Sequence, residues 1–70
     1  MWIFASDETL RNAADLAGLN LRIDGGGSNW TIGYVSGGVF VPLSATFATQ
    51  ADALSELVKV AEALAAIDLR

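Results

Sequence analysis

Residues 22–42 read RIDGGGSNWTIGYVSGGVFVP, and the meaning of the two glycine clusters in this stretch decides the fold. Three readings compete: a phosphate-cradling loop, a membrane segment, or a pair of hairpin turns. A P-loop needs a lysine and a serine or threonine behind its last glycine, so that a charge reaches the phosphates and a hydroxyl reaches magnesium. GGGSNW has a serine but no lysine there, and it leads into a strand pattern rather than a helix, so the dinucleotide fingerprint fails as well. Residues 25–51 carry no charge and are long enough to span a bilayer. The glycines, Pro42, and side chains such as Ser28, Asn29, Thr31 and Gln50 would then lie in lipid without partners. The clusters are therefore read as turns.

Gly37 and Gly38 suit a two-residue hairpin loop, because both positions can take positive φ. That loop sets Tyr34 opposite Val41 and Ile32 opposite Leu43. A four-residue loop over residues 25–28 sets Ile23 opposite Trp30, Leu21 opposite Ile32 and Leu19 opposite Tyr34. A five-residue loop would set Asp24 against Trp30 and break the apolar match. The result is a three-stranded antiparallel meander. Its inner face carries Leu19, Leu21, Ile23, Trp30, Ile32, Tyr34, Val39, Val41 and Leu43. Its outer face carries Thr31, Gly33, Val35, Phe40 and Pro42. Pro42 cannot donate to a ladder, which puts the third strand at an edge.

The flanks complete the expectation. MWIFA, residues 1–5, mixes aromatic and β-branched side chains and reads as a short strand. Ser6 can cap a helix, with Asp7 and Glu8 in the first turn, where the helix dipole favours negative charge. Leu10, Ala13, Ala14 and Ala17 recur at helical spacing with Leu16 on the border of the stripe, and Gly18 offers a stop, so the pattern predicts a helix over residues 7–17. Thr49 and Asp52 stand at capping-box spacing. Leu54, Leu57, Val58, Ala61, Leu64 and Ala65 then form a stripe that predicts a second helix ending near Asp68. The expected architecture is β-α-β-β-β-α, a single α+β domain over residues 1–70, with both helices on one face of the sheet. The N-terminal segment either joins as a fourth strand or lies beside the meander.

Composition narrows the function. The chain has 70 residues, no cysteine and no histidine. Disulfides, thiolate chemistry, His-based general bases and the usual zinc sites are excluded. Carboxylate pairs such as Asp7 with Glu8 and Asp52 with Glu56 could serve glycoside hydrolysis only across a cleft, for which 70 residues leave little room. Lys59, the one lysine, sits between two acids on a helix face. The expectation is a non-enzymatic protein with no cofactor and no metal. MWIFASDE lacks the basic start and long apolar run of a signal peptide, which suggests the cytoplasm.

Eight acids against four bases give a formal charge of −4, which disfavours direct binding of nucleic acid. Asp7, Glu8, Asp15, Asp52, Glu56, Glu62 and Asp68 all fall on the two predicted helices. If those helices share a sheet face, their acids form one outer layer suited to a basic groove on a protein partner. Val35 and Phe40 face each other on the opposite side of the sheet. They are either covered by the N-terminal segment with Trp2 and Phe4, or left as an apolar patch for self-association, which leaves monomer and homodimer both open.

In size, acidity and α+β layout, and in the acid-bearing segments SDETLRNAADLAG and TQADALSELVKVAEAL, the chain resembles the small acidic anti-CRISPR proteins of phages. The resemblance implies binding to a Cas protein or effector complex in the cytoplasm of a host cell, through its basic nucleic-acid-binding surface, with DNA mimicry as one mechanism. Since that group shares no common motif, no residue role carries over from it. The alternative expectation is a structural or assembly module that self-associates through Val35 and Phe40.

Overall fold

The computed structural model describes residues 1–12 and 20–70. Its elements in chain order are β1 (Trp2–Phe4), β2 (Leu10–Asn12), β3 (Asn20–Gly26), β4 (Asn29–Ser36), β5 (Val39–Pro42), α1 (Gln50–Ala63) and β6 (Ile67–Asp68). The strands form one mixed sheet in the order β5-β4-β3-β2-β1-β6, antiparallel throughout except for the parallel β1 and β6 pair.

The meander is present as β3, β4 and β5, inside a larger sheet. Its second turn is the two-residue loop expected, with Gly37 at φ 59 and Gly38 at φ 80. Ser36 pairs with Val39 and Tyr34 with Val41. The first turn differs from the four-residue expectation. Gly26 pairs with Asn29, and the loop is Gly27 and Ser28 alone, with Gly27 at φ 60. Ile23 therefore faces Ile32, and Leu21 faces Tyr34. This is a slip of two residues. Side chains alternate with a period of two, so such a slip leaves every residue on its original face, and apolar matching cannot detect it. The turn decides instead. Gly25, at φ 145, and Gly26 can continue the ladder, and a glycine at the first loop position is the type II′ arrangement that suits strand twist.

The expected architecture of two helices over a three-stranded meander is overturned. Where residues 7–17 predict a helix, Leu10–Asn12 is a strand that pairs with β1 on one side and β3 on the other. Residues 13–17, including Asp15, lie outside the described residues. The physical cause lies in Leu10. It is the only large apolar residue at the core of that helical stripe, the others being alanines that bury little area. As a strand residue, Leu10 stands between Phe4 and Leu21 in register and is fully buried. The N-terminal segment joins the sheet as β1, between β2 and β6, rather than lying beside it.

The one helix among the described residues, α1, begins as the sequence indicates. The Thr49 hydroxyl accepts a hydrogen bond from the Asp52 amide at 3.1 Å, and Asp52 lies in the first turn. Ala53, Leu57 and Ala61, four residues apart, form its buried line. Leu57 and Ala61 pack with Phe4, Leu10 and Ile32, flanked by Trp2, Leu21, Ile23, Phe47, Leu54 and Val58. The end of the helix is earlier than expected. It stops at Ala63, and the residues near Asp68 are a strand against β1.

All of this core lies on one face of the sheet. Phe47 is held there by a reciprocal pair of backbone hydrogen bonds with Trp30, at 2.9 and 2.7 Å. The Trp30 indole donates to the Gly27 carbonyl at 3.0 Å, which seats the ring over the first turn.

Candidate functional site

The register defines a second, open face. Arg11, Asn20 and Arg22 stand on it from β2 and β3, Thr31, Gly33 and Val35 from β4, and Phe40 and Pro42 from β5. α1 contacts the opposite face. Trp2 and Phe4 also point to the helix side, packing in the core, so they do not cover Val35 and Phe40. Val35 is 41% exposed.

Glycine shapes this face. A Cβ on Gly33 would collide with the Val41 carbonyl oxygen and stand 2.8 Å from the tip of the Phe40 ring. The ring therefore lies across the bare backbone of Gly33. The Arg22 guanidinium sits 5.8 Å from its centroid, within cation–π range. Beside this group is a shallow depression of about 210 Å³ lined by Asp7, Thr9, Arg11, Asn20, Arg22 and Val35. Its charges are paired. Arg11 donates to Asp7 at 2.7 Å, and Arg22 stands 3.9 Å from Asp24. Asp7 also accepts from the Thr9 amide at 3.1 Å. Hydrogen bonds from Thr9 first, and from Arg11 second, hold the Asp7 carboxyl below its usual value.

The acids expected in one layer are divided by the fold. Asp7 lies on the open face, in the depression just described. Asp52, Glu56 and Glu62 are exposed on α1, with Lys59 3.6 Å from Glu56. Asp68 pairs in register with Phe4, so its side chain stands on the helix side of the sheet. There Arg70 donates to both Asp68 carboxyl oxygens, at 3.0 and 2.8 Å, and its guanidinium covers the Phe4 ring at 4.4 Å. The Arg70 hydrogen bonds lower the Asp68 carboxyl to about 2. Asp68 in turn raises Arg70, to which Glu8 and Glu62 contribute through space. Of the seven acids, Asp68 alone bonds Arg70 among the described residues, while Glu8 and Glu62 act on it at longer range. Asp15 lies outside the described residues.

The consequence is a division of charge between the two sides. The open face holds Arg11 and Arg22 against Asp7 and Asp24, a balanced set. Asp52, Glu56, Glu62 and Asp68 stand against Lys59 and Arg70 on the helix side, and Glu8, in the turn between β1 and β2, adds to the negative field at Arg70. Among the described residues whose side these contacts fix, the open face is balanced and the helix side carries the excess of negative charge. Chemically, both carboxyls whose titration is displaced among the described residues are displaced downward, the direction opposite to that of a general acid.

Sequence reasoning missed the pairing of Arg22 with Phe40 and the clamp of Arg70 on Phe4. The alternation of Asn20, Arg22 and Asp24 with apolar neighbours was a usable signal for the open face. The clamp joins residues far apart in the chain and leaves no local signal. Among the described residues, no helix is long and apolar enough to cross a membrane. No family of known proteins, no curated protein and no solved structure matches the chain.

Proposed function

We propose that this chain is a non-enzymatic binding protein that docks its helix side on a basic, nucleic-acid-binding surface of a protein partner and inhibits the partner by occupying it. The observation that carries this reading is the segregation of charge: the excess acids lie on the helix side, while the sheet face is balanced. Complementary fields of this kind speed encounter and become weaker in salt. Glu56 and Glu62 stand on one exposed helix, with Glu8 and Asp68 continuing the acidic surface toward its C-terminal end. A single short helix interrupted by Lys59 is a poor copy of a phosphate track, so the proposal is occupation of a basic groove by charge, with mimicry of DNA limited to its sign.

A Cas effector is the partner class to test first. Purified effectors without nucleic acid should bind the chain, and duplex DNA should compete. The double variant Glu56→Lys with Glu62→Lys should slow association and flatten its salt dependence. Binding that is indifferent to both the charge reversal and the DNA would end this reading.

A second reading rests on the uncovered Val35 and the Phe40 ring beside it: self-association through the open face. Light scattering across a concentration series tests it. A mass that grows with concentration and reverts in Val35→Asp supports it, and a constant monomer removes it.

A further inference from the structure

The two edges of the sheet are protected by different means. At the β5 edge, Leu43 donates to the Ile32 carbonyl, so the alternation of an antiparallel ladder turns the backbone of Val41 and Val39 inward and that of Phe40 and Pro42 outward. Proline therefore occupies an outward position where another residue would offer a free N–H, which blunts that edge. The opposite edge belongs to β1, and among the described residues it is covered only by the two residues of β6.

The attachment of β6 is small and specific. Ile67 lies beside Ile3 and Asp68 beside Phe4, and the Leu69 amide donates to the Phe4 carbonyl at 2.9 Å. Arg70, fixed by Asp68, closes over the Phe4 ring. Ile67 and Leu69 remain 47% and 59% exposed.

The link to α1 is under tension. Residues 61–66 read AEALAA, which favours continued helix. The helix instead ends in a Schellman arrangement: Ala65 donates to Glu62 and Ala66 to Ala61, with Ala65 at φ 53. That position is ordinarily glycine, because a Cβ is strained in the left-handed region. Local preference and tertiary pairing oppose each other here, and a short strained hinge invites strand exchange.

We propose that β6 is an exchangeable strand. Residues 64–66 straighten by continuing α1, and residues 67–70 seat on the β1 edge of a second copy of this chain. A second copy is the occupant because the seat is defined by Ile3, Phe4 and the pair of Asp68 with Arg70, a set that every copy satisfies identically. The exchange replaces Asp68 and Arg70 by the same residues of the second copy, so it preserves the helix-side charge, and it takes place at the far end of the sheet from Val35 and Phe40.

Single-cysteine variants test it in the full chain. Neighbouring strands lie about 4.8 Å apart, within the span of a disulfide. Ile3→Cys and Ile67→Cys proteins are mixed at high concentration, equilibrated, and oxidised. Exchange yields a mixed disulfide between position 3 of one chain and position 67 of the other, in excess of the two symmetric products combined, since random collision of equal amounts gives the mixed and the combined symmetric products in equal yield. Ala65→Gly, which suits the closed turn, should lower that yield by about tenfold, since each dimer relaxes two hinges. Ala65→Val, whose branched side chain is excluded from positive φ, should raise it. Val35→Asp should leave it unchanged. A mixed disulfide no more abundant than the two symmetric products together overturns the proposal, as does a yield that Ala65→Gly leaves unaltered.

Discussion

The β3 to β5 meander and the β1 to β2 hairpin share one sheet, yet they are held by different means. The meander has long strands, two-residue loops and glycines at positive φ where the loops require them. Its geometry is written into adjacent residues. The hairpin has three-residue strands and a connection tied by polar groups: Ala5 donates to the Thr9 carbonyl, Glu8 to Ala5, and Asp7 gathers Thr9 and Arg11. So short a hairpin has little stability of its own. It persists because Phe4 and Leu10 complete the core under α1. One region brings its fold to the core, and the other receives its fold from it.

The largest test of that contrast compares Leu57→Ala with Leu10→Ala. Both side chains are fully buried, and each truncation should cost about 2–5 kcal/mol in urea unfolding. Equal losses mean that the hairpin is part of the single cooperative core. A loss below about 1 kcal/mol at Leu10 would separate the hairpin from it.

A second test stays within the meander. Gly33→Ala forces a Cβ against the Val41 carbonyl and Pro42, and should cost about 1–3 kcal/mol by overpacking. Gly26→Ala meets nothing within 4 Å and has ordinary φ, so it should be close to neutral in the same unfolding assay. A similar cost at both would mean that the close approach of β4 and β5 is not what requires glycine. Thr49→Ala removes the cap of α1 and should lose about 1 kcal/mol, with fraying of residues 50–52 visible in amide exchange.

The smallest effect is titration. The Asp68 carboxyl falls from its ordinary 3.8 to about 2 in the fold, and Asp7 shifts the same way. Groups depressed in this way add stability above the unfolded value and lose it as pH falls through the folded one. Thermal stability should therefore decline between about pH 4 and 2, and both carboxylates are exposed enough to keep the decline slight. Asp68→Asn should flatten it, and a carbon-detected titration should place the Asp68 midpoint near 2. A midpoint at the ordinary value would mean that Arg70 is not clamped on Phe4.

How far the sequence could be read follows from the same contrast. The face assignment of Leu21, Ile23, Ile32 and Tyr34, the loop at Gly37 and Gly38, the edge position of Pro42 and the Thr49 cap were all legible, because each depends on residues within a few positions of one another. The pairing of Ile23 was misread by two residues, since alternation leaves that slip invisible. Leu10 was misread because helical spacing with alanines resembles a stripe without supplying its buried area. Of the candidate site, the acidity of Asp52, Glu56 and Glu62 was legible as a helix exterior, while the separation of Asp7 from Glu8, Glu62 and Asp68 was not.

The sequence by itself determined the strand faces, the turns, the start of the helix and the absence of thiol and imidazole chemistry, because dihedral preference, alternation and composition act within a few bonds. Tertiary structure alone decided that residues 10–12 and 67–68 are strands and that the excess negative charge gathers on the helix side. Those outcomes depend on which distant backbone offers an unpaired edge, and no local preference, however strong in the alanines that follow Leu64, contains that information.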